Sequence, residues 1–186
     1  MDVRQAITNR RSIRRFTTQP VTREALTELV SLARLYASGA NHQPLRFAAV
    51  ENQKLCDLIF ETLKWAAYLP DFTIGAQQKP TAYVVITGSA QTKKNRQFDV
   101  GAASTTLMLA AQEQGIASCC LASFDAAAVK ELLNLGEDTE PILVIALGYP
   151  DQHSVAVDFA GDIKYYEDGD GLCVPKLTTE QVLTLY

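Results

Sequence analysis

Four arginines fall within six positions of "NRRSIRRF": Arg10, Arg11, Arg14 and Arg15. Ser12 lies among them, and Ile13 and Phe16 frame them. Guanidinium forks, a hydroxyl and backbone N–H groups are the donors that a phosphate monoester needs. The apolar neighbours would anchor such a segment to the core rather than leave it as a loose arm. The whole chain carries a formal net charge of -4 and a pI near 5.2. A general nucleic-acid binder would need a broad basic face, which this balance disfavours. A solvated, salt-bridged turn and a pocket for one small anion both remain open.

Other chemistries find little support. His42 and His153 are the only histidines, and neither sits in an HExxH or Cys/His ligand spacing. There is no GxSxG elbow, no Walker A sequence and no GxGxxG after a first strand. Cys56, Cys119, Cys120 and Cys173 show no CxxC spacing and are few for a secreted disulfide framework. They read as small buried hydrophobes. Cys119 and Cys120 are adjacent, so on a strand they point to opposite faces.

The elements that must position these groups can be read from periodicity and caps. Asp2 can cap a short helix with Val3, Ala6 and Ile7 on one side. Thr22 caps a second helix, with Glu24 in its first turn and a stripe of Leu26, Leu29, Val30 and Ala33. "ASGANHQP" breaks that helix, "RFAAV" reads as a strand, and Asn52 opens a helix with Leu55, Leu58, Ile59 and Leu63 along one side. "TAYVVITG" and "PILVIALG" are strands of the fully buried type, and "ASCCLA" is another. Asp99 is the expected cap of a long helix that Gly115 stops. Asp125 caps "AAAVKELLNL", with Gly136 as its expected stop. Thr178 and Gln181 have capping-box spacing for a last short helix.

No repeat, low-complexity tract or linker divides the 186 residues, so one domain over 1–186 is expected. A hydrophobic fraction of 47% fits an ordinary folded globule rather than a disordered chain. "MDVRQAITNR" lacks the apolar stretch of a secretory signal, and no run of about 18 apolar residues suggests a membrane span. The expected compartment is the cytoplasm. The alternation of strands and helices predicts a central sheet flanked by helices.

Taken in order, "NRRSIRRF", "ASGANHQPLRF", "DVGAASTTLMLAAQEQGIASCCLASFD" and "VIALGYP" resemble the FMN-dependent nitroreductase family, and "VPKLTTEQVL" does so more weakly. The resemblance implies an α+β, three-layer α/β/α sandwich with a mostly antiparallel central sheet, dimeric. It also implies FMN as cofactor. Arg10, Arg11, Ser12 and Arg14 match the family's flavin-holding pattern, with Arg10 and Ser12 at the phosphate and Arg14 at the N1–O2 edge of the ring. Arg15 lies outside the pattern and is expected to face solvent.

The resemblance carries further residues with it. The loop of Ser38, Gly39, Asn41 and Gln43 matches the segment that reaches the partner subunit's flavin, although Ala37 replaces the usual proline. "LASFD" lies where the family runs its backbone past N5, which implicates main-chain groups of Ala122 and Ser123. Lys176 is the lone basic candidate of the C-terminal block, since Leu177 stands where a second basic residue is common. Trp65 and Tyr68 could cover the flavin or simply pack a helix end. Gly101 to Ser104 suit either core packing or close helix approach between subunits.

The implied function is an oxidoreductase in which NADH or NADPH reduces nitroaromatic, quinone or related electron-poor acceptors by a ping-pong hydride transfer, in a homodimer with composite sites. No side chain is singled out as a catalytic acid or base, and no metal, nucleic acid or membrane is implied. The alternatives are a flavin-binding sensor or carrier without turnover, and an enone reductase or dehalogenase of the same family. A non-flavin nucleic-acid module using the arginine cluster is a further class, disfavoured by the acidic pI.

Overall fold

The computed structural model describes residues 1–89, 96–169 and 171–186. Its central sheet comprises β1 (Leu45–Val50), β2 (Ala82–Ser89), β3 (Ala117–Leu121) and β4 (Thr139–Gly148). The order is β1-β2-β4-β3, and each neighbouring pair is antiparallel. β2 is buried from Ala82 to Gly88 because the sheet is covered on both faces. Its Ala82, Val84 and Ile86 join Ile145 and Leu147 of β4 in one core. The alternate residues Tyr83 and Val85 join Val144, Ala146, Cys119 and Leu121 in the other. A period of two thus divides a continuous apolar run between two layers.

Helices α1 (Val3–Asn9), α2 (Arg23–Ala33) and α4 (Arg96–Glu113) lie on one side, and α3 (Gln53–Glu61) and α5 (Ala126–Leu132) on the other. This is the expected α/β/α sandwich. The Thr22, Asn52 and Asp125 side chains cap α2, α3 and α5. Each accepts a backbone N–H that the helix leaves unpaired.

Several expectations need correction. α4 begins three residues before Asp99, which lies buried in its first turn rather than at the cap. α5 ends at Leu132, and Asn134 takes the left-handed position at φ 48° in place of Gly136. In α3 the buried positions are Cys56 and Ile59, while Leu58 turns outward. Only Ala6 of α1 is buried, which leaves Val3 and Ile7 exposed. A second sheet was not foreseen. It pairs β5 (Ser154–Asp158) in parallel with β7 (Gly171–Lys176), with β6 (Tyr166–Asp168) antiparallel on β7's other side. The final helix α6 (Thr179–Val182) has the capping box that the sequence predicts.

Candidate active site

The arginine segment leaves α1 at Arg10, whose N–H still donates to the Ala6 carbonyl at 3.0 Å. It then runs extended along the free edge of β3. Ser12 bridges Ser118 in parallel, and the Ile13 N–H donates to the Ser118 carbonyl at 3.0 Å. Further on, the Thr17 N–H meets the Tyr149 carbonyl at 2.8 Å, and the Arg14 N–H meets Gln152 Oε1 at 2.9 Å. Phe16 is fully buried against Gly148. The backbone is therefore fixed at both ends and in the middle, while alternate side chains are presented to opposite sides.

That alternation separates the arginines by role. Arg11 folds back onto its own turn, donating to the Thr8 carbonyl at 2.8 Å and to the Arg10 carbonyl. These are carbonyls at the end of α1, where a cation is favourable. Burial and then the charge of Arg10 lower its pKa. Arg11 lines a 490 Å³ cleft with Asn9, Gln152, His153 and Ser154 that contains neither Arg10 nor Arg14.

Arg15 corrects another expectation. It is engaged rather than solvated: its guanidinium donates to the Thr73 carbonyl at 3.2 Å, pairs with Glu167 at 3.3 Å and lies 4.4 Å over the Phe72 ring. Arg10 and Arg14 differ from both. Among the described residues neither meets a carboxylate, and the Arg10 guanidinium has no hydrogen-bond partner. Burial raises the Cys119 thiol pKa, and the charges of Arg14 and Arg10 oppose that rise. Both cations therefore act on the same residue of β3. Burial also pushes the Cys120 thiol up to about 12.

Parallel pairing fixes the order along this edge. With Ser12 level with Ser118, Arg14 lies toward the end of β3 where Ala122 and Ser123 emerge exposed. The Ser123 carbonyl accepts the Lys64 N–H at 3.0 Å, which fixes the backbone path there. Lys176 ends β7 with an exposed side chain. Trp65 packs beside Phe60 with ring centroids 5.5 Å apart. Tyr68 instead stacks on Tyr165 at 5.1 Å, and Tyr165 carries the Arg14 guanidinium 4.6 Å above its ring. Gln152 and Tyr165 were not legible in the sequence as partners of Arg14; both come from segments with no recognisable motif.

The loop of Ser38–Gln43 is not brought to this place. The Gly39 N–H donates to Asp99 at 3.4 Å, which ties the loop to the first turn of α4. Ala40, Asn41 and Gln43 all take left-handed φ angles of 48°, 55° and 46°, each strained by about 1–3 kcal/mol. The Ser38 hydroxyl accepts the Gln43 N–H at 3.1 Å, and the Gln43 amide donates to Asn41 Oδ1 at 3.1 Å. The N-terminal amine, by contrast, pairs at 4.0 Å with Glu113 in the last turn of α4. That helix is eighteen residues long, an axial length of about 27 Å.

A family model described as Nitroreductase family matches residues 7–149. The chain belongs to the nitroreductase family. It is an oxidoreductase. A curated relative in Methanothermobacter thermautotrophicus, provisionally named an NADH dehydrogenase/NAD(P)H nitroreductase, is 28% identical over 156 residues, covering 81% of this chain and 78% of that one. Among solved structures, a Parabacteroides distasonis protein with the same provisional name superposes with a TM-score of 0.70 at 24% identity, over 90% of this chain and 97% of that one. An FMN-dependent nitroreductase from Clostridium difficile R20291 gives 0.69 at 19% identity, over 81% and 88%. These likenesses show that the nitroreductase fold is shared. Among the described residues no helix is long and apolar enough to cross a membrane, and no cluster of three His, Cys, Asp or Glu could hold a metal ion.

Proposed function

We propose that this protein holds FMN against the arginine segment that borders β3 and uses NADH or NADPH to reduce nitroaromatic, quinone or related electron-poor acceptors. The observation that carries this reading is the pair of uncompensated cations, Arg10 and Arg14, flanking Ser12 along one strand edge. Their chemistry fits the cofactor. Arg10 and the Ser12 hydroxyl would hold the phosphate, joined by Lys176, and Arg14 would face the N1–O2 edge of the ring. The Arg11 guanidinium, turned toward the α1 carbonyls, would serve by holding that turn.

FMN, when bound, would supply two-electron hydride chemistry between nicotinamide and acceptor. Arg14 would stabilise negative charge that develops at its end of the site. The backbone at Ala122 and Ser123 would supply polar groups toward N5. Donor and acceptor would occupy the same place in turn, in a ping-pong scheme for which no side-chain acid is assigned.

The separation of the Ser38–Gln43 loop from the arginines supports a composite site. A C2 dimer with α4 helices running oppositely would bring the Ser38, Gly39, Asn41 and Gln43 loop of one copy to the Arg14 end of the other. Exposed Phe98 and Gly101 lie one turn apart on the open side of α4 and suit such an interface. We place the protein in the cytoplasm as one domain over 1–186, in keeping with its four free thiols.

The deciding experiment is the visible spectrum of the purified protein, followed by FMN and riboflavin titrations and by NAD(P)H oxidation with a quinone. A flavin spectrum, tighter FMN than riboflavin binding and acceptor-dependent turnover are expected. FMN binding without turnover would mean a sensor or carrier. A colourless protein that does not take up FMN would overturn the reading.

A further inference from the structure

Two segments outside the core sheets meet above the arginine edge. Residues 65–73 contribute Tyr68, and the approach to β6 contributes Tyr165. The Tyr165 ring lies under the Arg14 guanidinium at 4.6 Å, with its other contact the Tyr68 ring at 5.1 Å. The Tyr68 N–H donates to the Tyr165 hydroxyl at 3.4 Å. One residue further along the arginine segment the connection repeats, to positions two beyond Tyr165 and five beyond Tyr68: Arg15 joins Glu167 and the Thr73 carbonyl. The two segments are thus joined to the arginine segment twice, once through a full ion pair and once through an aromatic face.

The difference matters for charge. A carboxylate neutralises Arg15, whereas an aromatic face holds Arg14 without cancelling its charge. Arg14's other side-chain contact is the Ser12 carbonyl at 3.5 Å, which is too long to fix its orientation. From this contrast we infer that Tyr165 is a positioning residue, which holds the Arg14 guanidinium directed without cancelling its charge, and that Tyr68 supports Tyr165 in that task. The inference rests on the reading that Arg14 serves the flavin ring. Without the ring beneath it, Arg14 turns toward water, and solvent screens its field at the N1–O2 edge. The reduced cofactor then loses stabilisation.

Tyr165→Phe and Tyr165→Leu, each alone and combined with Arg14→Ala, test this. Tyr165 is half-buried just before β6, outside any helix or strand, and circular dichroism verifies that each variant is folded. In FMN-free protein, the Arg14 side-chain NMR resonances should carry an aromatic ring-current shift in the wild type and Tyr165→Phe, and lose it in Tyr165→Leu. In FMN-saturated protein, spectroelectrochemical titration should give a wild-type potential for Tyr165→Phe. Tyr165→Leu should shift it downward by less than Arg14→Ala, and should add nothing in the Arg14→Ala background. An unmoved potential in Tyr165→Leu, or an equal shift in both backgrounds, overturns the role of Tyr165. A wild-type protein that takes up no FMN overturns the reading of Arg14 and this inference with it, even where the ring-current contact persists.

Discussion

Ser12 and Ser118 face each other in a parallel bridge, closed by the Ile13 N–H donating to the Ser118 carbonyl at 3.0 Å. This pairing converts a run of arginines into an ordered series along β3. Parallel register sends the chain from Arg10 to Arg14 in the same direction that β3 runs from Ala117 to Leu121. Arg10 and Arg14 thus stand two residues to either side of the bridged Ser12, and both act on Cys119 of β3.

Arg14→Ala should lower the reduction potential of bound FMN. Two unit charges about 4 Å apart interact by roughly 4 kcal/mol at an effective dielectric near 20. Over two electrons that corresponds to a shift on the order of tens of millivolts. Arg10→Ala should instead weaken FMN retention and leave riboflavin binding unchanged, with little effect on the potential of flavin that stays bound. Equal shifts from the two variants would contradict this division.

Gly148→Ala should destabilise the fold and loosen the arginine segment. An added Cβ would approach Phe16 side-chain atoms at 2.8, 2.9 and 3.0 Å, and Phe16 is fully buried. Overpacking of this kind costs about 1–3 kcal/mol. Urea unfolding should show a lower midpoint, and FMN titration a weaker affinity. An unchanged midpoint would mean that Phe16 has room to move.

Assembly can be tested at Phe98, 78% exposed on α4. Phe98→Asp should shift a dimer toward monomer in sedimentation velocity. A buried aromatic anchor contributes about 2 kcal/mol or more, and twofold symmetry counts it twice. FMN affinity should fall in parallel, because the Ser38–Gln43 loop would no longer reach the second site. A monomer that retains full FMN affinity would rule out the composite site.

The buried thiols predict an alkaline loss of stability. Burial pushes Cys56 and Cys120 up to about 12, from an ordinary value near 9. Between pH 9 and 12 the unfolded chain releases protons that the folded protein keeps, so unfolding becomes more favourable as pH rises. Stability from these groups is fully present below pH 9 and declines above it. Urea midpoints at pH 7.5, 9 and 10.5 should show a plateau followed by a fall. Alkylation of Cys56 and Cys120 in the native protein at pH 8, followed by peptide mapping, should be slow, since little of either thiol is ionised there.

Much of the scaffold was legible because its signals are local. Thr22, Asn52 and Asp125 cap helices wherever they stand before a helical run, since the acceptor reaches only two or three residues. The apolar runs at 82–88 and 141–147 announced core strands, the first buried throughout and the second only from Val144 onward, since Pro141 to Leu143 are partly exposed. Where local rules compete, tertiary packing chose: Gly136 was the sequence's stop for α5, yet Asn134 takes the left-handed position two residues earlier. The small second sheet escaped notice because its strands are short and partly exposed, with no strong alternation to read.

Sequence alone determined which residue types were available: a phosphate-suited cluster at Arg10 to Arg14 and a loop at Ser38 to Gln43, each recognisable from its order and spacing. It could not divide the cluster. Four guanidiniums are chemically alike, and their separation depends on what each one meets across the fold. Arg11 turns back to the α1 carbonyls, Arg15 finds Glu167, Arg14 finds Tyr165, and Arg10 is left unpaired among the described residues. Those partners lie as much as 152 positions away along the chain. Apart from the turn that Arg11 closes, no local pattern encodes such contacts; they arise where strand pairing and sheet packing bring distant segments together.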